Sequence, residues 1–176
     1  MLIAIDTGYQ SSILAPTEIL ARQHYQELSK LLEPLGLTPV LLSGTTKQKA
    51  RQEILQGLAD GSCQIAIGTH ALLTDEVVFA DLALAVVDEQ HRFGVRQRLV
   101  LGQKGKNCDV LVMTATPIPR TLAMTAYGDL TVSRLDEKPA GRRDIETALI
   151  SQDRLADVTA RLAAAISKGQ RAYWIC

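Results

Sequence analysis

The sequence predicts an α/β fold, a doubly wound parallel sheet, on three observations. Five short apolar runs recur at intervals of roughly 20–27 residues: Ser12–Ala15, Pro39–Leu42, Ile65–Ile67, Leu84–Val87 and Val110–Met113. Each run is unbroken rather than alternating, which is the pattern of strands covered on both faces. Helix-like segments separate most of them, and strand–helix alternation of this kind closes through right-handed crossovers.

Taken in order, the first helix follows Thr17, a residue suited to capping, with Glu18 in its first turn where a carboxylate complements the helix dipole. Its apolar positions are Ile19, Leu20, Leu28, Leu31, Leu32 and Leu35. Lys47–Leu58 predicts a second helix, closed by the turn Asp60-Gly61-Ser62. Val95–Leu101 predicts a third and Arg120–Tyr127 a fourth. Beyond Tyr127 the texture changes, and Lys138-Pro139-Ala140-Gly141-Arg142-Arg143 reads as part of a polar linker. The expected organisation is one domain over 1–128, a linker over 129–144 and the start of a second domain over 145–176. That last part predicts a strand (Ile145–Ile150) and a helix capped by Ser151 with the stripe Leu155, Val158, Leu162 and Ile166. Gly169 stops the helix, and a further strand, Ala172–Cys176, follows.

Composition narrows the function classes. With 47% hydrophobic and 22% charged residues, the 176-residue chain is neither disordered, collagen-like nor supercharged. A net charge of zero argues against a small, uniformly basic nucleic-acid binder. The zero conceals an asymmetry: residues 1–90 hold 5 basic and 11 acidic residues, and residues 91–176 hold 14 and 8. Between His91 and Lys106 stand Arg92, Arg96, Arg98, Lys104 and Lys106 with no acid among them. Such a run serves either as a solvated face or as a patch that attracts phosphate or an acidic partner. Cys63, Cys108 and Cys176 are scattered and odd in number, as expected of reduced thiols. Met1–Ile5 is apolar but lacks a basic leader and a cleavage site, and no stretch approaches the ~20 apolar residues of a membrane span. These features predict a cytoplasmic protein with no membrane partner.

The sharpest chemical feature is Val86-Val87-Asp88-Glu89-Gln90-His91, an apolar strand that ends on two carboxylates. Ligands of open α/β sheets bind at that edge, and two carboxylates there suit a magnesium-nucleotide site. With His91 the run takes the DExH form of a Walker B box. The second feature is Met113-Thr114-Ala115-Thr116-Pro117-Ile118-Pro119-Arg120-Thr121, also at a strand end, where the Thr114 and Thr116 hydroxyls can bond a neighbouring acidic loop. Three hydroxyl-rich turns share the edge: Ala15–His24, Ser43-Gly44-Thr45-Thr46-Lys47 and Gly68-Thr69-His70-Ala71-Leu72-Leu73. Each can be a helix cap, and together they can form a row of donors along a nucleic-acid backbone.

The segments APTEILARQH (Ala15–His24), GTHALL (Gly68–Leu73), VVDEQHRFGVRQR (Val86–Arg98) and MTATPIPRTLAM (Met113–Met124) resemble the first motor lobe of the RecG family of superfamily 2 DNA translocases. The combination of DEQHRFGV with TATPIPRT is highly specific, and the resemblance covers essentially the whole chain. GQRAYWIC (Gly169–Cys176) is similar to the first helix–strand unit of the second motor lobe. Transcription-repair coupling factors are also similar, but Gln90 and Ala126-Tyr127-Gly128-Asp129-Leu130 favour RecG. A non-catalytic module binding DNA or protein through the sheet edge is the third reading.

The resemblance implies RecA-like lobes, that is, a P-loop NTPase fold. It implies ATP and Mg²⁺ as cofactors and double-stranded or branched DNA as partner, with remodelling of stalled forks and Holliday junctions in repair and recombination. A DNA-wedge domain and the complete second motor lobe of the same protein are further implied partners. Residue by residue, Asp88 is expected to coordinate Mg²⁺ through water and Glu89 to activate the hydrolytic water. His91, Thr114, Thr116 and, in the same motif, Arg120 are expected to couple nucleotide state to DNA grip. Arg22, Ser43, Gly44, Thr69 and His70 are expected to lie along the DNA. A zinc role for His91 lacks a four-ligand set. No GxxxxGK[ST] loop occurs in the 176 residues; the Gly-Lys pair is Gly105-Lys106, followed by Asn107. The resemblance places that loop before Met1 and an arginine finger after Cys176, so the chain by itself is expected to bind nucleotide weakly and not to turn it over.

Overall fold

The most polar of the expected strands lies at the centre of the sheet. Gln10–Leu14 (β1) is buried along its whole length. It pairs in parallel with Ile65–Gly68 (β3) on one side and Leu82–Val87 (β4) on the other. Val40–Leu42 (β2) extends the sheet beyond β3, and Asp109–Val112 (β5) extends it beyond β4, both in parallel. The order is β2-β3-β1-β4-β5, a doubly wound sheet as the five apolar runs predict. The computed structural model describes residues 1–89, 100–115, 131–137, 141 and 145–175. The chain divides into two compact units, Met1–Gly128 and Asp129–Cys176.

In the first unit the two sheet faces bury separate sets of side chains. On one face Leu14, Ala85 and Val87 join Leu42, Leu58, Leu72, Val77, Phe79, Leu82 and Leu101. Gln48–Asp60 (α3) contributes Leu58 there, with Ile54 and Leu55 packed beside it. Gly61 ends α3 at φ 83°, a left-handed conformation that a residue with Cβ adopts at a cost. On the other face lie Ile13, Ile65, Ile67 and Val86 with Ile5, Ala21 and Leu32. Leu2–Asp6 (α1) and Glu18–Leu32 (α2) cover that side.

The cap of α2 is as the sequence predicts: the Leu20 N–H donates to Thr17 Oγ1 at 3.3 Å, a bond contributing roughly 1 kcal/mol. Its apolar face is the expected one in part: Leu20, Leu28 and Leu32 pack on the sheet, whereas Ile19, Leu31 and Leu35 do not. Ala21, Tyr25, Leu28 and Leu32 form the stripe against the sheet, spaced four, three and four residues apart. Ile19 and Leu31 lie off that line and are exposed, and Leu35 is exposed in the 3-10 turn Glu33–Leu35. A count of aliphatic residues overlooked Ala21 and Tyr25, which fix the helix phase. Of the expected helix over 95–101 only the end is described, and residues 100–103 are helical. The expected helix over 120–127 lies outside the described residues. The described linker residues, 131–137 and 141, form neither helix nor strand.

Gln10 fastens the sheet to the end of α3 and to the loops after α3 and before β4. Its Nε2 donates to Leu58 O at 2.9 Å and Cys63 O at 2.7 Å, and its Oε1 accepts the Asp81 N–H at 2.9 Å. The side chain is buried, so each bond is made away from water. Gln10→Leu keeps the shape but leaves the Cys63 carbonyl and the Asp81 N–H without this partner. It is expected to destabilise the chain by about 3 kcal/mol in urea unfolding; an unchanged midpoint would show that the clamp contributes nothing.

Cys63 and Cys108 are free and half-buried. Burial pushes both thiols up, Cys108 to about 11. Alkylation of Cys108 at pH 8 is therefore expected to run about 10²-fold slower in the folded chain than in urea. Equal rates would place the thiol in solvent.

In the second unit the helix Leu155–Ser167 (α4) forms, with Gly169 beyond it at φ 80°. Ser151 does not cap α4 as expected. It precedes the 3-10 turn Gln152–Arg154, and its hydroxyl bonds Asp153 Oδ2 at 3.1 Å. The segments 145–150 and 172–175 carry no ladder hydrogen bonds among the described residues, and Ile145, Leu149, Tyr173 and Ile175 are exposed. A strand is completed by the neighbour it pairs with, and the described residues offer these two none. Among the described residues no helix is long and apolar enough to cross a membrane.

Candidate functional site

Because every pairing in the sheet is parallel, all five strands deliver their C-terminal ends to one edge. Across that edge run Ser43–Thr46 after β2, Thr69–His70 after β3, Ala15–Glu18 after β1, Asp88–Glu89 after β4 and Thr114 after β5. The sequence scatters these residues over about half its length; the strand order sets them side by side.

Asp88 stands where β4 leaves the sheet. Its N–H still donates to Leu14 O at 2.9 Å, so the backbone is tied to β1 as the side chain emerges. Both carboxylate oxygens are engaged. Oδ1 accepts the Glu89 N–H at 2.9 Å, and Oδ2 lies 2.8 Å from Nε2 of His24 on α2. Glu89 is the sole non-glycine residue with positive φ among the described residues, at 49°. Left-handed backbone at a residue with Cβ costs on the order of 1 kcal/mol, and the chain bends here as it leaves the sheet.

A second cluster joins the start of α2 to the turn after β2. Arg22 Nη2 and Nε donate to Glu18 Oε1 at 2.5 and 3.1 Å. Thr45 Oγ1 donates to the same Glu18 oxygen, and Arg22 Nη2 reaches Thr45 Oγ1 at 3.4 Å. The Ser43 hydroxyl lies 3.1 Å from Thr45 Oγ1, and the Ser43 N–H donates to Thr46 Oγ1 at 2.9 Å. The Thr45 hydroxyl first, and Arg22 second, hold the Glu18 carboxyl below the usual range. A lowered folded-state value means that this contact stabilises above the unfolded value and is lost as pH falls through the folded one.

The structure thus brings Arg22 and Ser43 into one network and sets Asp88 beside Glu89. Gly44 is exposed at the tip of its turn, and His70 is exposed at the start of the 3-10 turn His70–Leu73. Thr69 is buried, its N–H donating to Leu42 O at 3.2 Å. Thr114 is partly buried beyond β5. His91, Thr116 and Arg120 lie outside the described residues. Sequence reasoning gives His24 no role of its own; it gives Glu18 only a place in the first turn of α2 and Thr45 only a place in a hydroxyl-rich turn, and it does not pair the two. The available signal for His24 was its place, three residues after Ala21 and four before Leu28, on the flank of the buried stripe of α2.

The donor chemistry fits one hydrated hard cation. No group of three or more His, Cys, Asp or Glu residues gathers into a metal cage among the described residues. Magnesium needs no such cage, since it keeps most of its waters and takes one or two carboxylates.

Comparison with known proteins places this edge in context. The profile of the DEAD/DEAH box helicases matches residues 1–125. The ATP-dependent DNA helicase RecG of Pasteurella multocida is 53% identical over 180 residues, covering 99% of this chain and 26% of the relative. RecG of Bacillus subtilis is 50% identical over 173 residues, covering 98% and 25%. The chain therefore spans about a quarter of the length of the curated relatives it matches. A solved structure of RecG bound to a three-way DNA junction superposes with a TM-score of 0.75 at 40% identity, covering 92% of this chain and 22% of that one. With its parallel five-stranded sheet, its strand-edge carboxylates and this match over most of its length, the chain belongs to the DEAD/DEAH box helicase family, and RecG helicases are the relatives whose sequence it shares.

Proposed function

We propose that the chain is a motor segment of an ATP-dependent DNA translocase of RecG type, acting in the cytoplasm on branched duplexes such as stalled forks and Holliday junctions. Residues 1–128 serve as a RecA-like first lobe, 129–144 as a linker and 145–176 as the start of a second lobe. The observation that carries the reading is the pair Asp88–Glu89 at the C-terminal end of β4, on the same edge as the turns after β1, β2 and β3.

In this reading Asp88 holds a water of a hydrated Mg²⁺. Magnesium-bound ATP supplies the electrophilic phosphorus and the charge screening. Glu89, at the bend where the chain leaves β4, orients a water and accepts its proton. Thr114, together with His91, Thr116 and Arg120, relays the state of that site toward DNA. Arg22, Gly44 and His70, the exposed members of the row, meet the phosphate backbone, while the buried Ser43 and Thr69 shape the turns that present them.

The sequence contains no phosphate-cradling GxxxxGK[ST] loop, and the reading accordingly assigns turnover to a protein that supplies one. The test exchanges residues 1–176 for the matching segment of Bacillus subtilis RecG. The hybrid is expected to retain DNA-stimulated ATPase and junction unwinding, and the 176-residue chain alone to have neither. A folded hybrid without ATPase would overturn the reading, as would turnover by the chain alone that Glu89→Gln abolishes.

A further inference from the structure

The contact between His24 and Asp88 spans 64 residues and joins a helix to the carboxylate edge. The two side chains are one-quarter and about one-fifth exposed, so their 2.8 Å bond is largely shielded from competing water. The Glu89 N–H fixes the other oxygen of Asp88, and the His24 ring therefore selects the carboxylate's orientation. Six and two residues before His24, the same helix carries Glu18 and Arg22, which grip Thr45 in the turn after β2. Helix α2 thus has two attachments at the edge, one to the β4 carboxylate and one to the turn Ser43–Thr46. A helix is stiff over this distance, whereas the turns it connects are separate loops on non-adjacent strands.

We infer that His24 is a positioning residue for Asp88, and that through His24 the helix α2 transmits the arrangement of the Asp88 carboxylate to the turn Ser43–Thr46. The inference rests on the reading of Asp88 as the cation-holding carboxylate only for its purpose; the linkage itself is geometric. When Asp88 reorients to hold a hydrated cation, Oδ2 either keeps His24 and draws α2 with it or releases α2. Either way the turn after β2, held by Glu18 and Arg22, reports the change. His24 touches no reacting atom in this account.

The test uses the 176-residue chain and amide and imidazole NMR. Asp88→Asn is expected to shift the His24 ring resonances, to leave those of His70 in place, and to shift the amides of Gly44–Thr46. In a His24→Ala background the response of Gly44–Thr46 to Asp88→Asn is expected to be lost, and His24→Gln, which keeps an N–H donor, to restore part of it. Retained melting of each variant shows that the fold is intact. A His24 ring indifferent to Asp88→Asn overturns the inference, and so does a Gly44–Thr46 response that is the same with and without His24. Addition of MgCl₂ to the wild-type chain tests the cation reading separately. Shifts at Asp88 and Glu89 support that reading. Their absence, with the His24 linkage intact, removes the cation reading and leaves the positioning role standing.

Discussion

Glu89→Gln in the hybrid helicase is expected to lower DNA-stimulated ATP turnover by about 10²–10⁴-fold, the range for removal of a general base. The substitution keeps size and shape but replaces one acceptor oxygen with an N–H₂ donor, and the amide cannot accept a proton from water. Glu89 sits at φ 49°, a backbone setting fixed by the turn rather than by the side chain's charge, so the amide occupies the same place. Nucleotide affinity is expected to change little, because in the proposed function Asp88 and the phosphate loop carry ground-state binding, and a fall in kcat with an unchanged KM is the signature. A loss confined to KM would remove Glu89 from the chemical step. Asp88→Asn, by contrast, should weaken the response to Mg²⁺ along with the rate.

Gly68→Ala is expected to destabilise the first unit by about 3 kcal/mol or more. A Cβ at Gly68 would lie 2.1 Å from Leu42 O of the neighbouring strand and 2.9 Å from Leu72 Cγ. The first of these is backbone, held by the β2–β3 ladder, and cannot swing aside as the end of a side chain can. Relief requires β2 to separate from β3, which moves the turn Ser43–Thr46 away from Thr69. Gly44→Ala supplies the control: nothing lies within 4 Å of the added carbon, and a change under about 0.5 kcal/mol is expected. Similar unfolding midpoints for the two variants would mean that the strands tolerate the clash.

The five strands were legible because a sheet covered on both faces demands uninterrupted apolar runs, and Ile65–Gly68 or Leu82–Val87 supply them plainly. The carboxylate pair was legible for the same reason, since polar residues closing such a run can only emerge at the sheet edge. The start of β1 was harder. Gln10 and Ser11 look like loop residues, and only the partners brought in from residues 58, 63, 64 and 81 make a buried strand of them. The apolar face of α2 was legible in Leu20, Leu28 and Leu32 but not in Ala21 and Tyr25, which complete it where Ile19 and Leu31 do not. His24 escaped notice because its significance lies in a contact 64 residues away, which no local spacing encodes. The segments 145–150 and 172–175 have strand composition, but composition does not provide a pairing edge.

The central place of β1 also sets the order in which the first unit can assemble. The strand comes early in the chain, yet its ladder partners are Ile65–Gly68 and Leu82–Val87, and the partners of Gln10 lie 48, 53 and 71 residues ahead. The pair β2–β3, closed over α3, is the more local unit and can form while β1 waits. The loops closed by β1 cost chain entropy before any ladder bond offsets it, so the unit folds on the slow side for its size.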